Sequence, residues 1–168
     1  ADNALDTLTH GIEAFVSEKR TMYSDRMALD CMRLVGQYLE RAYKDGGDCE
    51  AREGLMLAAM MGGLAFSNAS ICLVHAMSRP LGALFHVPHG LSNAMLLPMV
   101  TEFSLETATS RYAECGRAIG FASADDNDQL AAQKLVRGLY AYNQDLEVPS
   151  MSAFGIDQHE FEDSLDQM

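Results

Sequence analysis

The chain has 168 residues, with 24 acidic against 12 basic side chains and a formal net charge of −12. Phosphate backbones are held by clustered Lys and Arg, so this balance argues against nucleic acid as a partner. Hydrophobic residues make up 48%, Trp is absent, Pro numbers 4 and Met 11, which fits one folded, mainly helical, Met-filled domain rather than a disordered chain, sandwich or barrel.

Apolar residues recur at helical spacing along the chain, and no run alternates at period two for long enough to predict a sheet. Leu5, Leu8, Ile12 and Phe15 predict a first helix over 3–18. A second, over 25–44, carries Met27, Leu29, Met32, Leu34, Val35 and Leu39 and stops at Asp45-Gly46-Gly47-Asp48. The third, over 49–66, is expected to bury Leu55, Leu57, Met60, Met61 and Leu64, with Met56, Met60 and Met61 as core filler. Its Ala58, Ala59, Gly62, Gly63 and Ala65 admit a close neighbour, and its wide apolar coverage marks it as the central helix.

A shorter helix then passes through His75 to Ser78, where Pro80 and Gly82 end or bend it. Residues 85–90 read as a loop feeding a helix over 91–103, with Pro98 as its kink. Amphipathic helices follow over 107–119 and 128–145, joined by a polar connector at 122–127. Val148-Pro149-Ser150 and Gly155 punctuate a loop before a last helix over 157–168. The predicted fold class is all-α. The sequence opens inside one helical pattern and stops inside another, so residues 1–168 read as a single helical domain cut from something longer.

Cys31, Cys49, Cys72 and Cys115 form no C-x-x-C pair and read as reduced, buried thiols of a reducing compartment. No run is apolar enough to span a bilayer, and the opening segment lacks the basic start and apolar centre of a signal peptide. A cytoplasmic location away from membranes is expected.

Asp6 and His10, four residues apart, share one helix face, a spacing that serves two ligands of one divalent metal and equally a surface pair. His75 sits in apolar company, where an imidazole needs a partner: a metal, or hydrogen bonds within the core. His89, between Pro88 and Gly90, is held by a rigid turn, whether as a ligand or as a plain turn residue. One carboxylate with imidazoles suits iron(II), zinc, nickel or manganese.

The segments Asp6-Thr7-Leu8-Thr9-His10-Gly11-Ile12-Glu13-Ala14-Phe15, Leu73-Val74-His75-Ala76-Met77-Ser78-Arg79-Pro80-Leu81-Gly82 and Pro88-His89-Gly90-Leu91-Ser92-Asn93-Ala94 together resemble the defining motifs of the iron-containing alcohol dehydrogenase family. His75 and His89 stand 14 residues apart, as that family has them. The resemblance implies the helical C-terminal domain of a two-domain enzyme. It makes Asp6, His10, His75 and His89 the protein ligands of one metal, iron(II) in most members and zinc in some. The implied chemistry is hydride transfer between a small alcohol or aldehyde and a nicotinamide cofactor, NAD or NADP, with the metal polarising the substrate oxygen. Homo-oligomers are common among such enzymes and are expected of the complete protein.

Through the same resemblance, His89 and Arg79 are expected to contact the cofactor. Many members carry histidine where this chain has Arg79, and an arginine cannot relay a proton. Arg79 is therefore read as holding an anionic group of cofactor or substrate, or as pairing within the protein. No residue is assigned a catalytic acid–base role. His86 and Met77 are pocket-lining candidates, and His159 a solvated residue.

There is no G-x-G-x-x-G, and Gly46-Gly47 lies between acids that would repel a pyrophosphate. The chain alone is therefore expected to lack dehydrogenase activity. Two other readings stand: a zinc-dependent relative such as glycerol dehydrogenase or dehydroquinate synthase, with fewer protein ligands, and a non-catalytic helical metal-binding domain.

Overall fold

Leu5, Leu8, Ile12 and Phe15 make one unbroken apolar stripe, and all four are fully buried in α1, Asp2–Val16. Two threonines on that helix are satisfied locally: the Thr7 and Thr9 hydroxyls donate to the carbonyls of Asn3 and Leu5, each at 2.8 Å. The computed structural model describes residues 1–165. Among them every regular element is helical: α2 (Met22–Lys44), α3 (Cys49–Ser67), α4 (Leu73–Phe85), α5 (His89–Ser104), a 3₁₀ turn (Leu105–Thr107), α6 (Thr109–Ile119), α7 (Asp128–Asp145), α8 (Met151–Phe154) and α9 (Gln158–Ser164). The all-α expectation holds.

The central helix is α1, which packs on α2, α3, α5 and α6, and this corrects the expectation for α3. That helix lies chiefly against α2 and α1, through Ala51, Gly54, Ala58, Gly62 and Ala65. Of its large side chains, Met56, Leu57, Met60 and Leu64 are exposed, whereas Leu55, Met61 and Phe66 are half-buried against the core. Core filling by Met56 and Met60 is thus ruled out. Small residues won the buried face because only they let the backbones approach. A Cβ on Gly62 would stand 3.4 Å from His10 Cβ and 3.2 Å from Cys31 Sγ.

Two prolines are carried inside helices. Pro80 removes one N–H from α4, yet Val74, His75, Ser78 and Leu81 form a buried face that runs past it, and the helix continues to Phe85. Pro98 is likewise buried within α5. That helix begins at His89, two residues earlier than expected, with Pro88 at its N-cap and the Ser92 N–H donated to the Pro88 carbonyl at 2.9 Å. His86 closes α4 in the left-handed region at φ 56°. α6 starts at Thr109 rather than 107, and α8 is a single turn where a loop was expected. The last three residues of the final predicted helix, 166–168, lie outside the described residues.

Arg111 of α6 ties the start of α2 to the end of α1. Its guanidinium lies 3.4 Å from the Phe15 ring centroid, donates to the Phe15 carbonyl and pairs with Asp25. Cys31 and Cys115 are buried free thiols as expected, but Cys72 is half-buried and Cys49, on the first turn of α3, is exposed. No helix among the described residues is long and apolar enough to cross a membrane.

Candidate metal centre

Three helices bring their polar residues to one point. α1 supplies Asp6 and His10, α4 supplies His75 and the first residue of α5 is His89. Around Asp6 Oδ1 stand His75 Nε2 at 3.5 Å, His89 Nε2 at 3.7 Å and His10 Nδ1 at 3.9 Å. Asp6, His10 and His75 each offer a ligand atom within 4.8 Å of the others. The rings of His10 and His75 stack at 4.5 Å between centroids, and Phe66 at the end of α3 stacks on the far side of His10 at the same distance. The structure thus draws together the four residues that the sequence motifs single out.

Burial falls across the cluster. His75 is 2% exposed, Asp6 and His10 about a fifth, and His89 51%. The His75 side is walled by core, and the His89 side opens to solvent. A centre that must admit a substrate needs that asymmetry, since catalytic metals keep a position free of protein ligands.

The donor set fits a first-row divalent ion. One carboxylate and three imidazoles match iron(II), zinc or manganese, and ligand atoms bonded at about 2.0–2.2 Å stand roughly 3–3.5 Å from one another, close to the separations found. A buried polar atom also lacks a partner here: Asn93 Oδ1, while Asn93 Nδ2 donates to Asp6 Oδ1 at 2.6 Å and lies 3.2 Å from Nε2 of both His75 and His89. Proton affinities reflect the crowding. Burial alone would raise the Asp6 pKa, but hydrogen bonding to His75, the charge of His10 and the Asn93 amide bring it below the usual carboxylate value. Burial lowers that of His10. Burial also opposes charge on His75, yet Asp6 and Glu13 outweigh it and raise the ring to about 9.

Two members of the site went unseen in the sequence. Glu13, 3% exposed, lies with its carboxylate 2.6 Å from His75 Nδ1, and Asn93 links Asp6 to the two downstream histidines. Their signals were helical spacing: Glu13 follows His10 by three residues on α1, and Asn93 follows His89 by four on α5.

Other expectations fall elsewhere. Arg79 is exposed, one turn beyond His75 on α4, with no ion pair to any described residue. His86 is exposed at the end of α4 rather than lining the cluster. Met77 lines a separate apolar groove of about 280 Å³ with Pro80, Leu96 and Phe161. His159 is a surface residue paired with Asp163 at 3.1 Å. The Gly46-Gly47 turn donates its Gly47 N–H to Asp45, as suits a helix connection and not a phosphate cradle.

Residues 1–167 match the model of the Fe-containing alcohol dehydrogenase family, C-terminal. The chain belongs to this family. An NADPH-dependent butanol dehydrogenase of Clostridium saccharobutylicum is 34% identical over 167 residues, covering 99% of the chain and 42% of that relative. The 1-propanol dehydrogenase PduQ of Salmonella typhimurium is 39% identical over 155 residues, covering 90% of the chain and 42% of its own length. Among solved structures, a 1,3-propanediol oxidoreductase superposes with a TM-score of 0.91 at 31% identity, over 96% of the chain and 42% of that protein. The chain spans about two fifths of the length of these relatives.

Proposed function

We propose that the chain is the metal-holding helical domain of an NAD(P)-dependent alcohol dehydrogenase that interconverts a primary or secondary alcohol with its aldehyde or ketone. The observation that carries this reading is the convergence of Asp6, His10, His75 and His89, from three helices, on one cluster with an open side. Proximity of all four favours the four-ligand site over a zinc relative with fewer protein ligands. The buried ligands beside an open face, in a chain of this family, favour catalysis over a merely structural ion.

These four residues would hold iron(II), with zinc meeting the same donors. When bound, the ion supplies Lewis acidity that lowers the pKa of an alcohol, and the nicotinamide supplies the hydride acceptor. The chain's own residues do the rest. Asp6 contributes the negative charge of the donor set, His75 forms its buried wall, and Phe66 backs His10 with an apolar surface. His89 stands at the open side, where substrate enters and the alcohol proton can leave to water. His89 and Arg79 are both exposed, and the Arg79 guanidinium, with no ion pair among the described residues, would hold an anionic group of cofactor or substrate. Nucleotide binding is assigned to the part of the longer polypeptide that this chain does not span. The reading places the complete protein in the cytoplasm as a homo-oligomer, and the free, buried Cys31 and Cys115 fit a reducing compartment.

Metal analysis of the complete protein, with His75→Ala as control, tests the assignment: about one iron or zinc per chain, lost in the variant together with NAD(P)-linked alcohol oxidation. Full oxidation rates in the His75→Ala enzyme would overturn it. The 168-residue chain alone, loaded with metal, is expected to show no turnover. In the complete enzyme, Arg79→Met raises the KM for an anionic substrate or for the cofactor; unchanged values for both remove Arg79 from the site.

A further inference from the structure

The Glu13 carboxylate is 3% exposed and forms no ion pair with Lys or Arg among the described residues. Among the described residues the carboxylate has three hydrogen-bond partners, two backbone N–H groups and one imidazole nitrogen. The Cys72 N–H reaches Oε2 at 2.9 Å, the Val74 N–H reaches Oε1 at 2.6 Å, and His75 Nδ1 lies 2.6 Å from Oε2. The first two are backbone groups at the start of α4, whose N-cap residue Cys72 makes no side-chain cap of its own. A glutamate 59 residues upstream therefore caps α4, where the helix dipole also favours a negative charge.

We propose that Glu13 is a positioning residue that decides which nitrogen of His75 faces the ligand cluster, using the carboxylate that also anchors the start of α4. The inference rests on the metal-centre reading given above. An ionised carboxylate only accepts, so the neutral His75 ring must carry its proton on Nδ1, and the Nε2 lone pair is left toward Asp6. The two backbone N–H groups prevent the carboxylate from turning away, so tautomer and ring orientation are fixed together. A carboxylate behind an imidazole ligand works this way at metal sites generally, and its loss costs about 10–100-fold in metal binding or activity. Here the same group joins α1 to α4, so the two helices cannot separate without freeing the His75 ring.

Glutamine shows why the residue type matters. Three donors meet two oxygens, and an amide must set its NH₂ against at least one of them. The less costly choice keeps Oε1 on Cys72 and His75 and gives up Val74, which preserves the His75 tautomer. Alanine leaves all three donors unpaired and the ring free to adopt either tautomer.

Two measurements on the 168-residue chain test the proposal. The first is the ¹⁵N spectrum of the His75 ring in the metal-free chain, recorded at rising pH until the ring is neutral. The wild type is expected to be Nδ1–H, Glu13→Gln the same and Glu13→Ala a mixture. The second is the rate at which excess EDTA strips Co(II) from the loaded chain, a property of the bound state that proton competition at His75 does not enter. Release is expected to be about 10–100-fold faster in Glu13→Ala and less than tenfold faster in Glu13→Gln. Where the alanine variant fails to fold, Glu13→Met, which keeps the volume without an acceptor, takes its place. An Ala or Met variant with wild-type tautomer and release rate overturns the proposal. A wild type that binds no Co(II) overturns the metal-centre reading instead, and the ring spectrum still decides whether Glu13 sets the tautomer.

Discussion

The Asn93 amide donates to the Asp6 carboxylate at 2.6 Å, joining α5 to α1 within the cluster of Asp6 and the histidines across 87 residues of sequence. Hydrogen bonds to charged groups contribute about 1.5–3 kcal/mol, and this one is half-sheltered from water. Asn93→Ala is expected to lower stability in urea denaturation by roughly that amount or somewhat less, because Asp6 retains some solvent. Asn93→Asp is the sharper variant. It sets a second carboxylate against Asp6, so at neutral pH the chain should be less stable than Asn93→Ala, and a divalent cation should recover more stability in Asn93→Asp than in wild type. Thermal melts with and without Zn²⁺ measure both differences. Equal recovery in the two proteins would place Asn93 away from the cation.

Asp6, His10, His75 and His89 were legible as candidate ligands through the resemblance of their segments to a known family; by spacing alone Asp6 and His10 read equally as a surface pair and His89 as a turn residue. Glu13 and Asn93 were not, because their roles arise from contacts across 62 and 87 residues, and in sequence they are only polar residues at helical spacing. The misreading of α3 has a different origin. Both of its faces are apolar, one small and one large, and hydrophobic period cannot say which is buried. The closeness of α2 and α1 decided for the Ala and Gly face. At Pro80 a local rule gave way to tertiary burial: the lost N–H is outweighed by Ser78 and Leu81 continuing the buried face of α4.

Two glycines make a matched test of that packing. A Cβ on Gly36 would come 2.0 Å from the Ile119 carbonyl oxygen, a backbone atom that cannot turn aside, whereas one on Gly63 meets nothing within 4 Å. Gly36→Ala must push α2 away from α6 and is expected to lose about 1–3 kcal/mol or more. Gly63→Ala, inside α3, should gain up to about 1 kcal/mol through helix propensity. Urea titrations give both values. A Gly36→Ala chain as stable as wild type would mean that α2 and α6 do not touch there.

Acid should loosen the start of α3. Asp48 caps that helix by accepting from the Ala51 N–H at 3.0 Å, and Arg41 pairs with it at 2.9 Å. The Ala51 hydrogen bond, against a smaller effect of burial and with help from Arg41, holds its pKa below 3.8. A carboxyl depressed in the folded chain stabilises above its unfolded pKa and loses that contribution as pH falls through the folded value. Asp48→Asn can still cap but carries no charge. It should therefore melt below wild type at pH 7, with the gap closing below about pH 4. A gap of the same size at pH 3 would show that the charge contributes nothing.

Thiol labelling should report the integrity of the helices around Asp6 and His10. Burial pushes the Cys31 thiol up to about 12 and raises Cys115 as well, so neither supplies thiolate in the folded chain. Cys31 lies between helices, its thiol 3.4 Å from the Thr7 carbonyl of α1 and beside Gly62 of α3. Cys49 is exposed, and Cys72 is half-buried with its pKa raised by burial and by Glu13. Iodoacetamide at pH 8 is expected to label Cys49 first and Cys72 more slowly, leaving Cys31 and Cys115 unmodified until urea is added, as peptide mass mapping would show. Reaction at Cys31 requires α1, α2 and α3 to part, which also separates His10 of α1 from Phe66 of α3. A bound divalent cation should slow labelling at Cys31 and leave Cys49 unchanged. Protection at neither site, with metal bound, would mean that the cation does not hold α1 in place.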